Sequence, residues 1–394
     1  MRMVRGGVEA WAPAAAALML AACASETALP PPLVQTAPAP GQPKPAPGPD
    51  SVGVAPLPPA AGAQAALSWA RLPGWDQEDH AAALDMFRAS CGVEKDAAWR
   101  EVCLRARDLG PQDEVIAKAF WETNFRIRPV GGAGADEGLL TGYFAPEYPA
   151  RAARSYPFTA PVRPRPADLP QADVGSNGGT APWLDRAAIE ATDEAQPLAW
   201  MKPEDLFFLQ IQGSGVLDFP DGRKLKAVYA ANNGQPFVGV ATAMRQQGLL
   251  AADNTSGEAI RGWLADHRGP DAEAVMRLNP RYIFFTLQPW DGKEPAGAAG
   301  VTLTPGRALA VDPSRHDYGA LYWIDGEAPS LSGAFPRYRR LAMALDTGSA
   351  IKGEVRADLY FGMGATAGVE AGRVKHRLKL YRLTPVLDPT LASR

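Results

Sequence analysis

The chain has 394 residues, 46% of them hydrophobic, with 40 Lys+Arg against 43 Asp+Glu and a formal net charge of -3. That is material for two domains and a sizeable core. So balanced a charge lacks the basic excess that counterion release from a nucleic acid needs, which argues against nucleic acid as a partner.

Arg2 and Arg5 precede an Ala/Leu/Met run from Trp11 to Ala22. The run is too short to span a membrane as a mature helix and reads as an export signal, so residues 1–22 are expected to be removed. Its end, Leu20-Ala21-Ala22-Cys23, resembles the lipobox of bacterial lipoproteins, where small residues admit the peptidase and the Cys thiol carries the lipid. The alternative is an ordinary signal peptide with an incidental Cys. Ala24, rather than Asp, after the Cys implies by the same likeness sorting to the outer membrane, and so a periplasmic, lipid-anchored protein. Residues 24–66 hold twelve prolines and no aromatic residue, so they cannot bury enough apolar surface to fold. With Cys23 they read as a tether, 23–66, reaching up to roughly 130 Å at about 3.1 Å per residue.

The folded part is expected from residue 67. Apolar residues recur at helical spacing from Gln77 to Ser90, from Asp96 to Arg107 and from Asp113 to Asn124. Cys91 and Cys103 make an even pair, twelve positions apart in an oxidising compartment, which favours a local disulfide over two free buried thiols. Closing so short a loop contributes about 3 kcal/mol in the chain-entropy view. From Gly138 onward, short β-rich runs broken by Gly, Pro and Asn predict a sandwich or barrel. Leu206–Gln212 and Leu225–Ala230 flank the turn signal Pro220-Asp221-Gly222 and are expected to pair as a hairpin. Helices are expected at Val238–Gln247 and at Gly257–Arg268, the latter with Thr255 and Glu258 at capping-box spacing. Strands are expected at Arg281–Leu287, Ala308–Val311, Ala320–Ile324, Leu341–Leu345, Ala357–Phe361 and Leu378–Leu383.

The chemistry narrows by residue type. Four histidines, none at ligand spacing from another or from Cys, give no legible metal site, and no cofactor motif is present. Gln212-Gly213-Ser214-Gly215 lacks the Gly-x-Ser-x-Gly elbow of a serine nucleophile, and its glycines read as a tight turn or as backbone approached by a ligand. The carboxylates remain. Asp346 follows an apolar strand in Leu345-Asp346-Thr347-Gly348-Ser349, and Asp358 sits twelve residues on among Ala357, Leu359, Tyr360 and Phe361. A lone strand Asp is ordinarily solvated, but the glycine-rich turns and the second Asp argue for a cleft. An aspartic protease is disfavoured, since there is one Asp-Thr-Gly and only 48 residues follow Asp346.

Taken together, Leu140-Thr141-Gly142-Tyr143-Phe144, Phe208-Leu209-Gln210-Ile211-Gln212-Gly213-Ser214-Gly215, Asn279-Pro280-Arg281-Tyr282-Ile283-Phe284-Phe285, Ala344–Gly353 and Asp358–Gly364 resemble the membrane-bound lytic murein transglycosylase A family. The C-terminal part resembles the three-aspartate domain, whose named acids fall on Asp312, Asp346 and Asp358. The likeness implies a mainly β fold with N-terminal helices: a double-psi β-barrel over 67–145 and 288–385, interrupted by a second, smaller β-domain over 146–287, with a tail at 386–394. It implies a glycan in the groove between the two.

Carried over residue by residue, the likeness puts the catalytic acid on Asp358 and a supporting carboxylate on Asp346. The spacing between them differs by a residue from some members. Tyr143, Gln210, Gln212, Gly213, Ser214, Asp312 and Lys352 would contact substrate. The implied reaction is cleavage of peptidoglycan with one carboxyl: Asp358 protonates the glycosidic oxygen, and the C6 hydroxyl of N-acetylmuramic acid attacks in place of water. Asp358 must then hold its proton near neutral pH, through burial and the like charge of Asp346. Partners would be glycan strands and the complexes that build or degrade the wall. A non-catalytic wall-binding lipoprotein is the alternative, since fold alone does not give function.

Overall fold

The computed structural model describes residues 67–131, 137–170, 182–194, 196–251, 253–331 and 333–386. The expectations for the export signal, Cys23 and the tether lie outside the described residues.

After two short 3-10 turns at Trp69–Arg71 and Trp75–Gln77 come three α-helices: α1 (His80–Ser90), α2 (Ala97–Leu109) and α3 (Glu114–Asn124). Each starts on an aspartate whose carboxylate accepts a first-turn N–H: Asp79 from Ala82, Asp96 from Ala98 and Asp113 from Ile116. Phe87 is the hub of their packing, with Trp99, Phe120, Trp121 and Phe125 all around it. Cys91 and Cys103 are bonded, with Cα atoms 5.5 Å apart, joining the end of α1 to α2.

The chain then enters β1 (Phe125–Pro129) and β2 (Gly138–Ala145), and leaves for a second sheet. That part comprises β3 (Glu147–Pro149), β4 (Ala160–Val162), α4 (Arg186–Glu190), β5 (Ala199–Met201), α5 (Pro203–Gln212), β6 (Gly215–Asp218), β7 (Lys224–Asn232), α6 (Ala241–Gln246), α7 (Gly257–Asp266), α8 (Pro270–Arg277) and β8 (Ile283–Pro289). It returns through β9 (Ala308–Val311), β10 (Leu321–Pro329), β11 (Arg337–Thr347), β12 (Arg356–Met363), α9 (Gly364–Ala371) and β13 (Lys375–Pro385).

The first sheet runs β1-β13-β10-β11-β9-β12-β2, and β13 also pairs with β2. Six strands therefore close into a barrel, with β1 added outside on β13. The barrel is mixed: β9 is parallel to β11 but antiparallel to β12, and β12 is parallel to β2. Alternation along β10 and β11 feeds two cores. Tyr322, Ile324, Ala342 and Ala344 fill the barrel, whereas Leu321, Trp323, Leu341 and Met343 pack under the helices.

The second sheet runs β3-β6-β7-β8, with a separate pair β4-β5. Here the sequence reading needs correction. Leu206–Gln212 is not a strand but most of α5, and the strand that pairs with β7 across the Pro220-Asp221-Gly222 turn is β6. Glu204 through Gln210 are all buried, so the helix shows no polar stripe and no helical period. Its buried acids are matched on and just past α7: Asp205 by Arg261 at 2.7 Å and Glu204 by Arg268, two residues beyond its end. The cap of α7 is likewise Ser256, which accepts from the Ala259 N–H, not Thr255.

Candidate active site

β2 and β12 lie side by side, with Thr141 opposite Asp358 and Tyr143 opposite Tyr360. On the other flank of β12, Asp358 is in register with Ala310 of β9, and Ala310 is in turn in register with Asp346 of β11. The two acids thus share one row of the barrel wall.

The Leu-Thr-Gly-Tyr-Phe string has a packing reason at its centre. A Cβ on Gly142 would lie 2.9 Å from the backbone Cα and O of Ala371, so only glycine lets α9 come down onto β2. Gly362, at φ +107°, takes the left-handed turn at the end of β12 before α9 begins.

Asp358 is half-buried, and its Oδ1 accepts the Thr141 hydroxyl at 2.6 Å. Burial lifts its carboxyl above the ordinary range. The Arg356 charge and the Thr141 bond draw it part-way back, and the charge of Asp346 adds the least. Asp346 is held on three sides: Oδ2 accepts the Tyr143 hydroxyl at 2.9 Å, and Oδ1 accepts the N–H groups of Ala298 at 3.0 Å and Thr347 at 2.9 Å. Burial also raises Asp346, against those three bonds. The Tyr143 ring packs on Tyr360 with centroids 5.1 Å apart. Burial first, then Asp346, pushes its hydroxyl far above the usual tyrosine value.

The remaining sequence candidates divide. Gln212 reaches the site's edge, its side-chain carbonyl accepting the Phe144 N–H at 3.1 Å, and Gly213 (φ +85°) and half-buried Ser214 follow it. Gln210 does not come near. Its amide is spent inside the second sheet's core, accepting from Arg186 at 2.7 Å and donating to the Ile283 carbonyl at 3.2 Å. Asp312 is buried and ties its own turn together, accepting the Ser314 hydroxyl at 2.8 Å and the Gly353 N–H at 2.9 Å, with exposed Lys352 3.7 Å away. Among the described residues no group of three or more His, Cys, Asp or Glu is placed to hold a metal ion.

Sequence reasoning missed the Ala298 N–H on Asp346 and three side-chain contributors. Thr141 stands in a quoted string, but its role depends on the β2–β12 register. Arg356 is two residues from Asp358 and donates to Thr141 at 2.9 Å. Glu294 comes from a loop with no motif and accepts the Tyr360 hydroxyl at 2.6 Å.

Residues 139–286 match the MltA specific insert domain and residues 307–384 match the 3D domain. A membrane-bound lytic murein transglycosylase A from Vibrio cholerae is 32% identical over 273 residues, covering 66% of this chain and 70% of that relative. The chain belongs to the membrane-bound lytic murein transglycosylase A family. Among solved structures, the lytic transglycosylase LtgG of Burkholderia pseudomallei is 31% identical and covers 83% of this chain and 97% of its own, with a TM-score of 0.59. E. coli MltA with bound chitohexaose is 25% identical over 78% of this chain and 90% of its own, at TM-score 0.62. In this member of the transglycosylase A family, Asp346 and Asp358 fall in the 3D-domain span, and Thr141, Tyr143 and Gln212 in the insert-domain span. The site is assembled from both.

Proposed function

We propose that the chain is a peptidoglycan lytic transglycosylase in which Asp358 is both acid and base. The observation that carries this reading is a half-buried carboxyl, held by the Thr141 hydroxyl and raised above the ordinary range by burial, in a family whose E. coli member has been crystallised with a chitohexaose. Asp358 gives its proton to the oxygen between N-acetylmuramic acid and N-acetylglucosamine as the C1–O bond breaks. The C6 hydroxyl of the same muramic acid bonds to C1, and its proton passes to the Asp358 carboxylate. The enzyme returns to its starting state, and no water enters. Intramolecular attack supplies by effective concentration what a second carboxyl supplies in a hydrolase. Asp346 is raised by burial, but the three donors it accepts from, Tyr143, Ala298 and Thr347, favour its ionised form, which would offset positive charge at the oxocarbenium-like centre.

The same proposal includes the double-psi crossing of the barrel strands, removal of residues 1–22 and a lipid on Cys23 that holds the protein at the outer membrane. Fractionation of the wild type against Cys23→Ala tests the anchor, and a wild type wholly in the soluble periplasmic fraction would refute it.

The reaction is tested on purified glycan strands by mass spectrometry. The products should end in 1,6-anhydro-N-acetylmuramic acid, one water lighter than a hydrolytic end, and Asp358→Asn should bind strands without releasing them. Reducing ends carrying heavy oxygen from labelled water would refute the intramolecular step. Retention of strands by the wild type with no product would favour a wall-binding protein.

A further inference from the structure

We infer that Thr141 and Arg356 are positioning residues that decide which oxygen of Asp358 carries the proton, an inference that rests on the acid/base role proposed for Asp358. The argument is one of hydrogen-bond direction. Arg356 Nη2 lies 2.9 Å from Thr141 Oγ1, and a guanidinium has donors only. Thr141 therefore accepts from Arg356, and its single hydroxyl proton points to Asp358 Oδ1, 2.6 Å away. A hydroxyl has two lone pairs, so the guanidinium alone does not set the direction; among the described residues Asp358 Oδ1 is the acceptor found for the Thr141 proton, and turning that proton away would leave the donor unused. With Oδ1 committed as an acceptor, a neutral Asp358 carries its proton on Oδ2. Oδ2 is then the atom that gives the proton to the glycosidic oxygen.

Arg356 is itself locked. Its Nη1 donates to the Ala357 carbonyl at 2.6 Å and to the Leu139 carbonyl at 3.3 Å, spanning β12 and β2. The group it serves is surrounded by few charges. Facing Asp358 are Thr141 and Tyr143 from β2, Arg356 and Tyr360 from β12, and Asp346 from β11, while β9 brings only Ala310. Beyond these, Glu294 holds the Tyr360 hydroxyl, and Lys375 of β13, opposite Thr141, is exposed. Of these groups, Thr141 and Arg356 are the ones that stabilise the Asp358 carboxylate, so they also set how far burial can lift its titration.

The test measures kcat and KM on purified glycan strands from pH 4 to pH 9, using the full chain and its Thr141→Val, Thr141→Ser and Arg356→Met variants. Thr141→Val keeps the shape and loses the donor. Its kcat should fall about 10- to 100-fold at nearly unchanged KM, and the alkaline limb of the profile should move to higher pH, because Asp358 must be protonated to act. Thr141→Ser should restore both. Arg356→Met should move the limb the same way. A wild-type profile in Thr141→Val, or a fall with an unshifted limb, would overturn the inference, as would failure of Thr141→Ser to rescue. Asp358→Asn in the same assay keeps the two readings apart. Activity retained there sinks the role of Asp358, whereas activity lost there but normal in Thr141→Val sinks only the relay.

Discussion

Asp346 and Asp358 face one residue, Ala310 of β9, from opposite sides. A whole strand separates them, so their Cα atoms are about 10 Å apart at two interstrand steps of about 4.8 Å each. This distance explains why the charge of Asp346 is the smallest influence on Asp358 and burial the largest. Of the two causes expected to raise Asp358, burial and the like charge of Asp346, burial is the larger and Asp346 the smaller, which in the proposed mechanism leaves burial to prime the acid and Asp346, oriented by Tyr143, to act mainly on charge elsewhere in the site.

Asp346→Asn should accordingly lower kcat while leaving the alkaline limb of the pH profile within a few tenths of a unit of wild type. Tyr143→Phe, which removes only the bond to Asp346, should change kcat in the same direction and by less. A profile displaced to lower pH by a full unit in Asp346→Asn would mean that the like charge dominates after all.

Priming by burial has a cost in stability. A carboxyl whose folded value is raised stabilises the fold below its unfolded value, and that contribution is lost as pH rises through the raised folded value. Asp358→Asn removes the buried charge while keeping an acceptor for Thr141. The variant should therefore melt at a higher temperature than wild type at pH 8, and the gap should close as pH falls toward 4. Thermal melts at the two pH values decide it, and a lower melting temperature at pH 8 would show that the Arg356 charge needs its partner more than the fold suffers from it.

How much of this was legible depended on whether a segment's partners were near in sequence. Ala308–Val311 was read with the bounds of β9, because four consecutive buried apolar residues leave little choice. The turn at Pro220-Asp221-Gly222 was read correctly too, closed by the Phe219 N–H to the Arg223 carbonyl at 2.9 Å. Its first strand was misread because α5 is buried nearly all round. Pro203 at its start, Glu204 and Asp205 in the first turn and Gly213 after its end were the helix signals present in the sequence. α9 was given no element, because its small residues carry no apolar period and serve packing instead: a Cβ on Gly368 would lie 2.7 Å from the Phe144 ring. Asp346, Asp358 and Tyr143 lay in recognisable strings. Thr141 could not be assigned a role, since its partner is 217 positions away, and Glu294 follows no pattern.

Gly142→Ala tests the close approach of α9. The added methyl meets the backbone of Ala371 and the Phe361 ring, neither of which can rotate away at low cost. Since Gly142 stands between Thr141 and Tyr143, displacing it moves the partners of both acids. The variant should lose about 1–3 kcal/mol of stability and a larger share of activity than its lowered melting temperature explains, read from assays well below the transition. Unchanged melting would show that α9 sits further from β2.

Asp312, another of the three-aspartate acids, ties its own turn to Gly353, and its pH dependence runs opposite to that of Asp358. Burial alone would raise its carboxyl, but the Gly353 N–H, the Ser314 hydroxyl and N–H and, least, Lys352 outweigh it and hold it at about 2, below the ordinary 3.8. A carboxyl with a lowered folded value contributes stability that is present above about 3.8 and is lost as pH falls toward about 2. Asp312→Asn keeps the shape but weakens these charge-assisted bonds, which should cost about 1–2 kcal/mol at pH 7 and lower the melting temperature by about 2–4 °C. Measured at pH 3 the gap should shrink, and near pH 2 it should vanish. Lys352→Ala should cost under about 0.5 kcal/mol at any pH, because its ammonium is exposed and 3.7 Å from the carboxylate. Substrate affinity gives the last discrimination. If Asp312 only pins its turn to Gly353, Asp312→Asn leaves KM for glycan strands within about twofold of wild type, whereas a tenfold rise in KM with unchanged melting would make it a substrate ligand instead.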